Sequence, residues 1–221
     1  MPQPLYVFDM DETLFAEDCS MLWNEFLVEQ GVVTSEDFLA EDKRLMALYS
    51  AGKLNMEDYL SFAMSPLAAL NKDEVDQLVE GCIDEKILPY LYPQAKTLLT
   101  ELKNDSIDTI IISATVHFIV SAIAKRIGIE TSMGIGLKIE NDQYTSTIEG
   151  IPTYREGKVA RLEEWLREQD KQYDAIHFYT DSINDLPLCE RADHAYLVNP
   201  CPRLREISNR PNWQTLNWSL S

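Results

Sequence analysis

Hydrophobic residues follow two rhythms along this chain, and the change between them divides it into parts. Residues 5–8 form a short apolar run of the kind that makes a buried strand. Between about residues 19 and 88, apolar positions recur every three or four residues, which is typical of amphipathic helices. Beyond Pro93, β-branched runs alternate with helical stretches. The pattern therefore predicts a strand, a helical segment and then a series of strand–helix units.

The helical segment is predicted to contain four helices with recognisable ends. Gly31 and Gly52 follow the first two apolar patterns and are expected to end those helices. Pro66 follows the third pattern, where it would interrupt a helix. Asn71 precedes the fourth and has the short polar side chain of a helix N-cap. We interpret residues 16–89 as a helical cap domain inserted into an α/β core.

The remaining residues, 1–15 and 90–221, are predicted to form that core. Strands that alternate with helices indicate right-handed βαβ units and hence a parallel sheet. The predicted fold class is therefore α/β, with a three-layer, Rossmann-like parallel sheet core and an inserted all-helical cap domain. Strands are expected at residues 109–112, 175–179 and 195–198, strands or a hairpin at 133–150, and helices at 95–103, 118–127 and 157–169.

Acidic and hydroxyl side chains follow the predicted core strands. Asp9 and Asp11 come directly after the first strand, Ser113 after the second, and Asp181 after a later one. The carboxyl ends of parallel strands share one edge of an α/β sheet, where ligands bind. Carboxylates that converge there repel each other unless a cation joins them or one takes up a proton, and oxygen ligands suit Mg²⁺. Taken alone, the first acidic pair is equally consistent with a solvated turn.

Composition limits the classes of function. The 221 residues are 45% hydrophobic, which is enough for a large core, and no apolar run reaches the roughly 18 residues of a membrane span. The net charge of −18 disfavours nucleic acid and anionic lipid as partners. The sequence has no recognisable secretory leader, and its four cysteines are far apart, with no C-x-x-C pair. We therefore expect a cytoplasmic protein with free thiols and no zinc site.

The predicted cap is strongly acidic. Residues 15–89 contain sixteen acidic and five basic residues, so this region could accept a small phosphorylated metabolite that also carries an amine, although such acids also solvate helix faces. Glu17 and Asp18 follow the first acidic pair closely, and Trp23 lies in the first predicted helix. These three are candidates for contact with the substrate. A solvated linker and a core aromatic are the alternative interpretations.

Four motifs, in order, resemble those of the haloacid dehalogenase-like (HAD) phosphohydrolases. The first, D-x-D-x-T, occupies residues 9–13, and the second, an apolar strand ending in serine, occupies 110–113. The third, a lysine that opens a helix, is Gly157-Lys158, and the fourth, D-S-x-x-D, occupies 181–185. Each motif alone is a weak signal, but all four in order are specific. The chain is most similar to the phosphoserine phosphatase-like subgroup, subfamily IB, which has a helical C1 cap.

The resemblance implies a Mg²⁺-dependent phosphatase that hydrolyses a small phosphate monoester through an aspartyl-phosphate. Asp9 would attack phosphorus, and Asp11 would protonate the leaving oxygen and then activate water. Mg²⁺ would be bound by Asp9, by the main-chain carbonyl of Asp11 and by Asp181. Ser113 and Lys158 would bind the phosphate oxygens.

The same resemblance gives supporting roles to Thr13, Ser182 and Asp185. Thr13 would brace the turn after the nucleophile, and Asp185 would support the metal through water or through its ligands. Taken alone, Ser182 is more readily explained as a cap of the helix that follows.

The identity of the substrate is left open by the motifs. Tyr179 and Thr180 precede the fourth motif at a point where phosphoserine phosphatases often have glycine. Residues 23–27 and 184–188 are more similar to a broader group of cap-bearing relatives, which includes phosphatases of histidinol phosphate. Two rival functions also remain: a phosphotransferase that passes the phosphoryl group to an alcohol, and a catalytically silent phosphate-binding protein of the same fold.

Overall fold

The computed structural model describes residues 3–221, which form seven strands and nine α-helices. The strands are β1 (Gln3–Phe8), β2 (Thr109–Val116), β3 (Thr131–Glu140), β4 (Gln143–Glu149), β5 (Tyr173–Thr180), β6 (His194–Val198) and β7 (Trp213–Leu216). The helices are α1 (Cys19–Glu29), α2 (Phe38–Ser50), α3 (Met56–Met64), α4 (Lys72–Cys82), α5 (Pro93–Asn104), α6 (His117–Ile127), α7 (Glu156–Glu168), α8 (Leu186–Arg191) and α9 (Pro202–Glu206). Within residues 3–221, no helix combines the length and apolar character needed to cross a bilayer.

The seven strands form one sheet in the order β4-β3-β2-β1-β5-β6-β7, and every neighbouring pair is parallel except β3 and β4. This topology confirms the predicted α/β class. Phe8 of β1 pairs with Ile111 of β2 and with Tyr179 of β5, so the carboxyl ends of three central strands lie at the same level. Strand β7 was not predicted, because its centre is polar at Gln214 and Thr215 and lacks an apolar run.

Alternate residues of the central strands face opposite sides of the sheet, and both sides are buried. Leu5 and Val7 belong to one apolar cluster with residues of α7 and α8. Phe8 and Ile111 belong to the other, together with residues of α5, α6 and the helical insertion. Burial on both faces explains why the central strands read as continuous apolar runs rather than as alternating ones. The predicted three-layer arrangement is therefore confirmed.

Helices α1 to α4 form the insertion, which we call the cap, between β1 and α5. Asn71 caps α4 in a reciprocal arrangement with Glu74, in which each side chain accepts a hydrogen bond from the other residue's backbone. The two linkers pair with each other, since Ala16 N donates to Tyr90 O at 2.8 Å and Tyr92 N donates to Leu14 O at 3.0 Å. The division into core and cap at residues 15/16 and 89/90 stays a prediction.

Candidate active site

The turn after β1 brings the first two acidic side chains to the carboxyl edge of the sheet. Asp9 N donates to Tyr179 O at 2.9 Å, so the chain stays anchored to β5 for one residue beyond the strand. The chain then reverses, with Leu14 N donating to Met10 O at 2.9 Å and Glu12 in the left-handed region at a φ of 53°. Strain of this kind is retained where the surrounding structure enforces it. The turn leaves both Asp9 and Asp11 facing the same cavity.

A buried ammonium group connects two of the predicted site carboxylates. Lys158 Nζ donates to Asp9 Oδ1 and to Asp185 Oδ2, each at 2.8 Å, and the three side chains are almost completely buried. Burial raises the pKa of Asp9 to about 7, an effect that Lys158 opposes and that Asp185 and Asp11 reinforce. Burial lowers the pKa of Lys158, but its two carboxylate partners outweigh that effect and raise it overall. The hydroxyl of Thr180 also donates to Asp185, at 2.8 Å.

The carboxylate of Asp11 is held by three donors. Ser113 Oγ and Thr115 Oγ1 each donate to Asp11 Oδ2 at 2.9 Å, and the backbone N–H of Cys19 donates to Asp11 Oδ1 at 2.8 Å. The cap thus contributes the first residue of α1 to the orientation of this group. Thr115 was not predicted from the sequence, although it lies two residues after Ser113 on one strand and therefore on the same side of it.

Asp181 follows β5 and completes the acidic edge of the cavity. Thr13 Oγ1 donates to Asp181 Oδ1 at 3.3 Å, so the threonine that was expected to brace the first turn also contacts this carboxylate. Burial, reinforced by the charges of Asp9 and Glu12, raises the pKa of Asp181 well above its ordinary value. Ser182 Oγ accepts a hydrogen bond from Asn184 N at 3.2 Å and so caps the following turn.

These groups line a cavity of about 360 Å³ that lies between the core and the cap. The core side of the wall is acidic, whereas the cap side is largely apolar and aromatic. Cap residues in the wall are Ser20, Met21, Lys43, Met46, Ala47, Tyr49, Ser50, Leu54, Met56 and Tyr59. A wall built by two parts of the chain allows the cap to exclude water from a reaction on the core.

The three candidates for substrate contact from the linker and first cap helix separate into two groups. Glu17 and Asp18 line the cavity, and Asp18 also caps α1 by accepting from Met21 N at 3.0 Å. Trp23 does not line it. Trp23 is 4% exposed, and its indole packs in the core against Phe26 and Phe118, so the expectation that Trp23 contacts the substrate is wrong for this structure. Helical periodicity turns Trp23 inward, away from the cavity.

Ser113 and Lys158 lie immediately behind the cavity wall. Both are almost completely buried, at 0% and 1% exposure, and each contacts a carboxylate that does line the cavity. Their predicted contact with phosphate oxygens therefore stays a prediction.

The donor set fits a divalent cation. Asp9, Asp11 and Asp181 face one cavity, and the one buried ammonium close to them is already shared by two carboxylates. Burial and the neighbouring carboxylates raise the pKa values of Asp9 and Asp181, and a divalent cation would favour the charged forms of both groups. Within residues 3–221 no three acidic, histidine or cysteine side chains lie close enough to form a metal cluster. The predicted ligand set is consistent with that finding, because it contains only two side chains and one main-chain carbonyl.

The fold and this site define a cap-bearing α/β hydrolase. The chain belongs to the haloacid dehalogenase-like hydrolase family, which matches residues 6–190. Enzymes of this family that act as phosphatases generally use Mg²⁺.

Comparison with individual proteins narrows the enzyme class from hydrolases to phosphatases. The chain is 31% identical over 218 residues to a histidinol-phosphatase of Neisseria meningitidis serogroup C (strain 8013), covering 97% of this chain and 98% of that one. A solved structure of a protein with unknown function from Bordetella pertussis Tohama I is 30% identical, with a TM-score of 0.89 and complete coverage of both chains. A phospho-aspartyl intermediate analogue of phosphoserine phosphatase is 21% identical and has a TM-score of 0.68, covering 95% of this chain and 92% of that one, which shows a shared fold. The predicted enzyme class, a phosphatase, is confirmed.

Proposed function

We propose that the protein is a Mg²⁺-dependent phosphatase that hydrolyses a small phosphate monoester through an aspartyl-phosphate on Asp9. The observation that carries this proposal is the environment of Asp9. Its carboxylate faces the cavity, contacts Lys158 at 2.8 Å, and lies beside a second carboxylate, Asp11, that three donors hold in place. A nucleophile with an adjacent acid–base group is the arrangement that covalent phosphoryl transfer needs.

The chemistry of each residue follows from its position. Asp9 attacks phosphorus, and the ester oxygen leaves with a proton from Asp11, which then withdraws a proton from the water that cleaves the acyl-phosphate. Lys158 and the Ser113 hydroxyl lie behind these carboxylates, where they compensate negative charge on the transferring group. Mg²⁺, held by Asp9, Asp181 and the main-chain carbonyl of Asp11, would supply the charge that offsets repulsion between an anionic carboxylate and an anionic phosphate.

The charge of the cavity supports an amine-bearing substrate without a carboxylate of its own. Among residues 3–221, six acidic residues line the cavity, together with one cationic residue, the exposed Lys43. Three of the acids form the reaction centre, which leaves Glu12, Glu17 and Asp18 to meet the rest of the substrate. A phosphorylated amino alcohol such as histidinol phosphate complements that charge better than phosphoserine, whose carboxylate would be repelled.

Removal of metal should silence the enzyme. Dialysis against EDTA is expected to abolish hydrolysis, and added Mg²⁺ should restore it, because Asp9 cannot approach a phosphate dianion without compensating charge. Mg²⁺ should also raise the thermal unfolding midpoint of the phosphate-free protein, since it binds folded carboxylates that otherwise repel. Full activity in EDTA, with no effect of Mg²⁺ on the midpoint, would contradict the metal assignment.

Replacement of Asp18 with asparagine should weaken recognition of an amine selectively. Asparagine can still cap α1, so the change removes the charge and keeps the hydrogen bond to Met21 N. For histidinol phosphate we expect KM to rise about tenfold, the size of a lost charge-assisted hydrogen bond. Glycerol phosphate, which has no amine, is the matched control and should show an unchanged KM. Equal effects on both esters would remove Asp18 from amine recognition.

A further inference from the structure

The C-terminal end of cap helix α2 and the two residues that follow it are held by side chains of the core. Asn184 Nδ2 donates to Tyr49 O at 3.0 Å, Arg203 Nη1 donates to Ala51 O at 3.4 Å, and Arg155 Nη2 donates to Gly52 O at 2.5 Å. Helix C-termini leave carbonyls without partners and carry a partial negative charge. The last turn of α2 has no basic residue of its own, so the core supplies the compensating cations.

Of these three contacts, that of Arg155 is the shortest, and the same residue also contacts the segment that carries Lys158. The guanidinium of Arg155 also lies 5.0 Å from the ring centre of Tyr154, which in turn packs against Tyr49 of α2. Its backbone precedes α7 by one residue, at a φ of 53° and a ψ of −121°, and its carbonyl accepts from Lys158 N at 3.0 Å. A non-glycine residue in that conformation indicates a position that the structure holds against strain.

The other end of this contact has a backbone shape that is adapted to the arginine. Gly52 ends α2 at a φ of +70°, and a Cβ built there would overlap Arg155 Nη2. Gly31 follows α1 at a φ of +71°. Among the described residues, no other atom lies within 4 Å of a Cβ built on Gly31. The two glycines therefore share a backbone requirement, and only Gly52 also makes room for a side chain from the core.

Helix α2 is also a wall of the cavity, through Lys43, Met46, Ala47, Tyr49 and Ser50. We propose that Arg155 is a positioning residue that holds α2 closed over the reaction centre and aligns it with the segment that carries Lys158. It does not contact the reacting atoms. Arg155 increases the fraction of free protein molecules in which the cap already occupies the position that binds substrate. The kinetic part of this inference rests on the phosphatase function proposed above, whereas the structural part does not.

The expected kinetic signature is a change in KM without a matching change in kcat. Apparent affinity falls in proportion to the population of the binding-competent state, whereas the closed complex, once formed, still has its full set of reacting groups. For Arg155→Ala with histidinol phosphate we expect KM to rise about tenfold, the size of one charge-assisted hydrogen bond, and kcat to change less than about twofold. Arg155→Lys, which keeps one donor and the charge, should recover part of the loss.

Hydrogen exchange gives a readout that is independent of activity. In Arg155→Ala, amide exchange should become about tenfold faster in residues 48–55 and stay unchanged in α3 and in the core strands. Arg161→Ala is the matched control, because Arg161 lies on α7 and, within the described part of the chain, forms an ion pair only with Glu164 of the same helix. It should leave both exchange and KM unchanged.

The two glycines provide a second test. Gly52→Ala should raise KM more than Gly31→Ala, although both place alanine at the same unfavourable φ. In the Arg155→Ala background, Gly52→Ala and Gly31→Ala should raise KM equally, because no guanidinium remains to be displaced. Unchanged KM and unchanged exchange in Arg155→Ala would overturn the proposal. A lost kcat with unchanged KM would also overturn it, as would faster exchange throughout the chain. Absent activity in the wild type with the predicted local exchange would instead count against the phosphatase function alone.

Discussion

Asp9→Asn should abolish turnover while leaving the protein folded. An amide cannot form the covalent bond to phosphorus, and loss of a nucleophile lowers kcat by on the order of 10⁵-fold. The asparagine keeps an oxygen that can accept from Lys158 Nζ, so the buried contact at 2.8 Å survives. The measurement is steady-state hydrolysis of histidinol phosphate in saturating Mg²⁺.

The thermal stability of Asp9→Asn is the control that distinguishes a loss of chemistry from damage to the fold. Because the pKa of Asp9 is raised to about 7 in the folded protein, the folded state binds that proton more tightly than the unfolded chain, whose aspartate titrates near 4. Stability is therefore lost between about pH 4 and pH 7 as this carboxyl ionises. Asparagine avoids that loss, so the metal-free variant at pH 8 should unfold at the same temperature as the wild type or at a higher one. Inactivity together with a much lower midpoint would instead indicate a structural role for Asp9.

Lys158→Met should cause the largest combined loss of stability and activity. Lys158 is 1% exposed and compensates both Asp9 and Asp185, so its removal leaves two carboxylates buried without a counterion. Removing one partner of a buried pair costs about 3–5 kcal/mol of unfolding free energy. We also expect kcat to fall by about 10²–10³-fold, since charge stabilisation of the transferring group is lost. Denaturant unfolding and hydrolysis rates measure the two effects.

Two further variants separate the loss of stability in Lys158→Met from its loss of activity and from a general effect of removing a lysine. Lys171→Met removes an ammonium that is 66% exposed and pairs with Asp108, so it should change the unfolding midpoint little. Lys158→Met combined with Asp185→Asn removes one of the orphaned carboxylates and should recover part of the stability but little activity. If Lys158→Met were as stable and as active as the wild type, the ammonium would have neither role.

The sequence predicted the parts of this site whose position follows from strand direction. Asp9, Ser113 and Asp181 each come within two residues of the paired positions Phe8, Ile111 and Tyr179, and parallel register brings those positions to one level. Apolar runs identified the strands, and the polar residues at their ends identified the edge. Lys158 was located by motif, since nothing in its local pattern distinguishes it from a solvated helix residue.

In the cap, the hydrophobic pattern predicted the helices but not the side chains that line the cavity. Periodicity found its four helices, and Asn71 was recognised as a cap because that signal is local. Which cap side chains reach the cavity depends on how the helices pack on the core. Trp23 was therefore misplaced, while Tyr49 and Tyr59 were not singled out among the cap aromatics. The contact between Arg155 and Gly52 joins residues 103 positions apart, and neither segment has a local sequence pattern that predicts it.

The most direct test of the central claim is to trap the covalent species. Asp11→Asn should slow both half-reactions, because Asp11 protonates the leaving oxygen and then activates the water that cleaves the acyl-phosphate. Rapid acid quench of this variant with histidinol phosphate and Mg²⁺, followed by mass spectrometry of its peptides, should find one phosphoryl group on the peptide that contains Asp9. A phosphoryl group on any other residue, or product release with no modified peptide at any time, would contradict the assignment of Asp9 as the nucleophile.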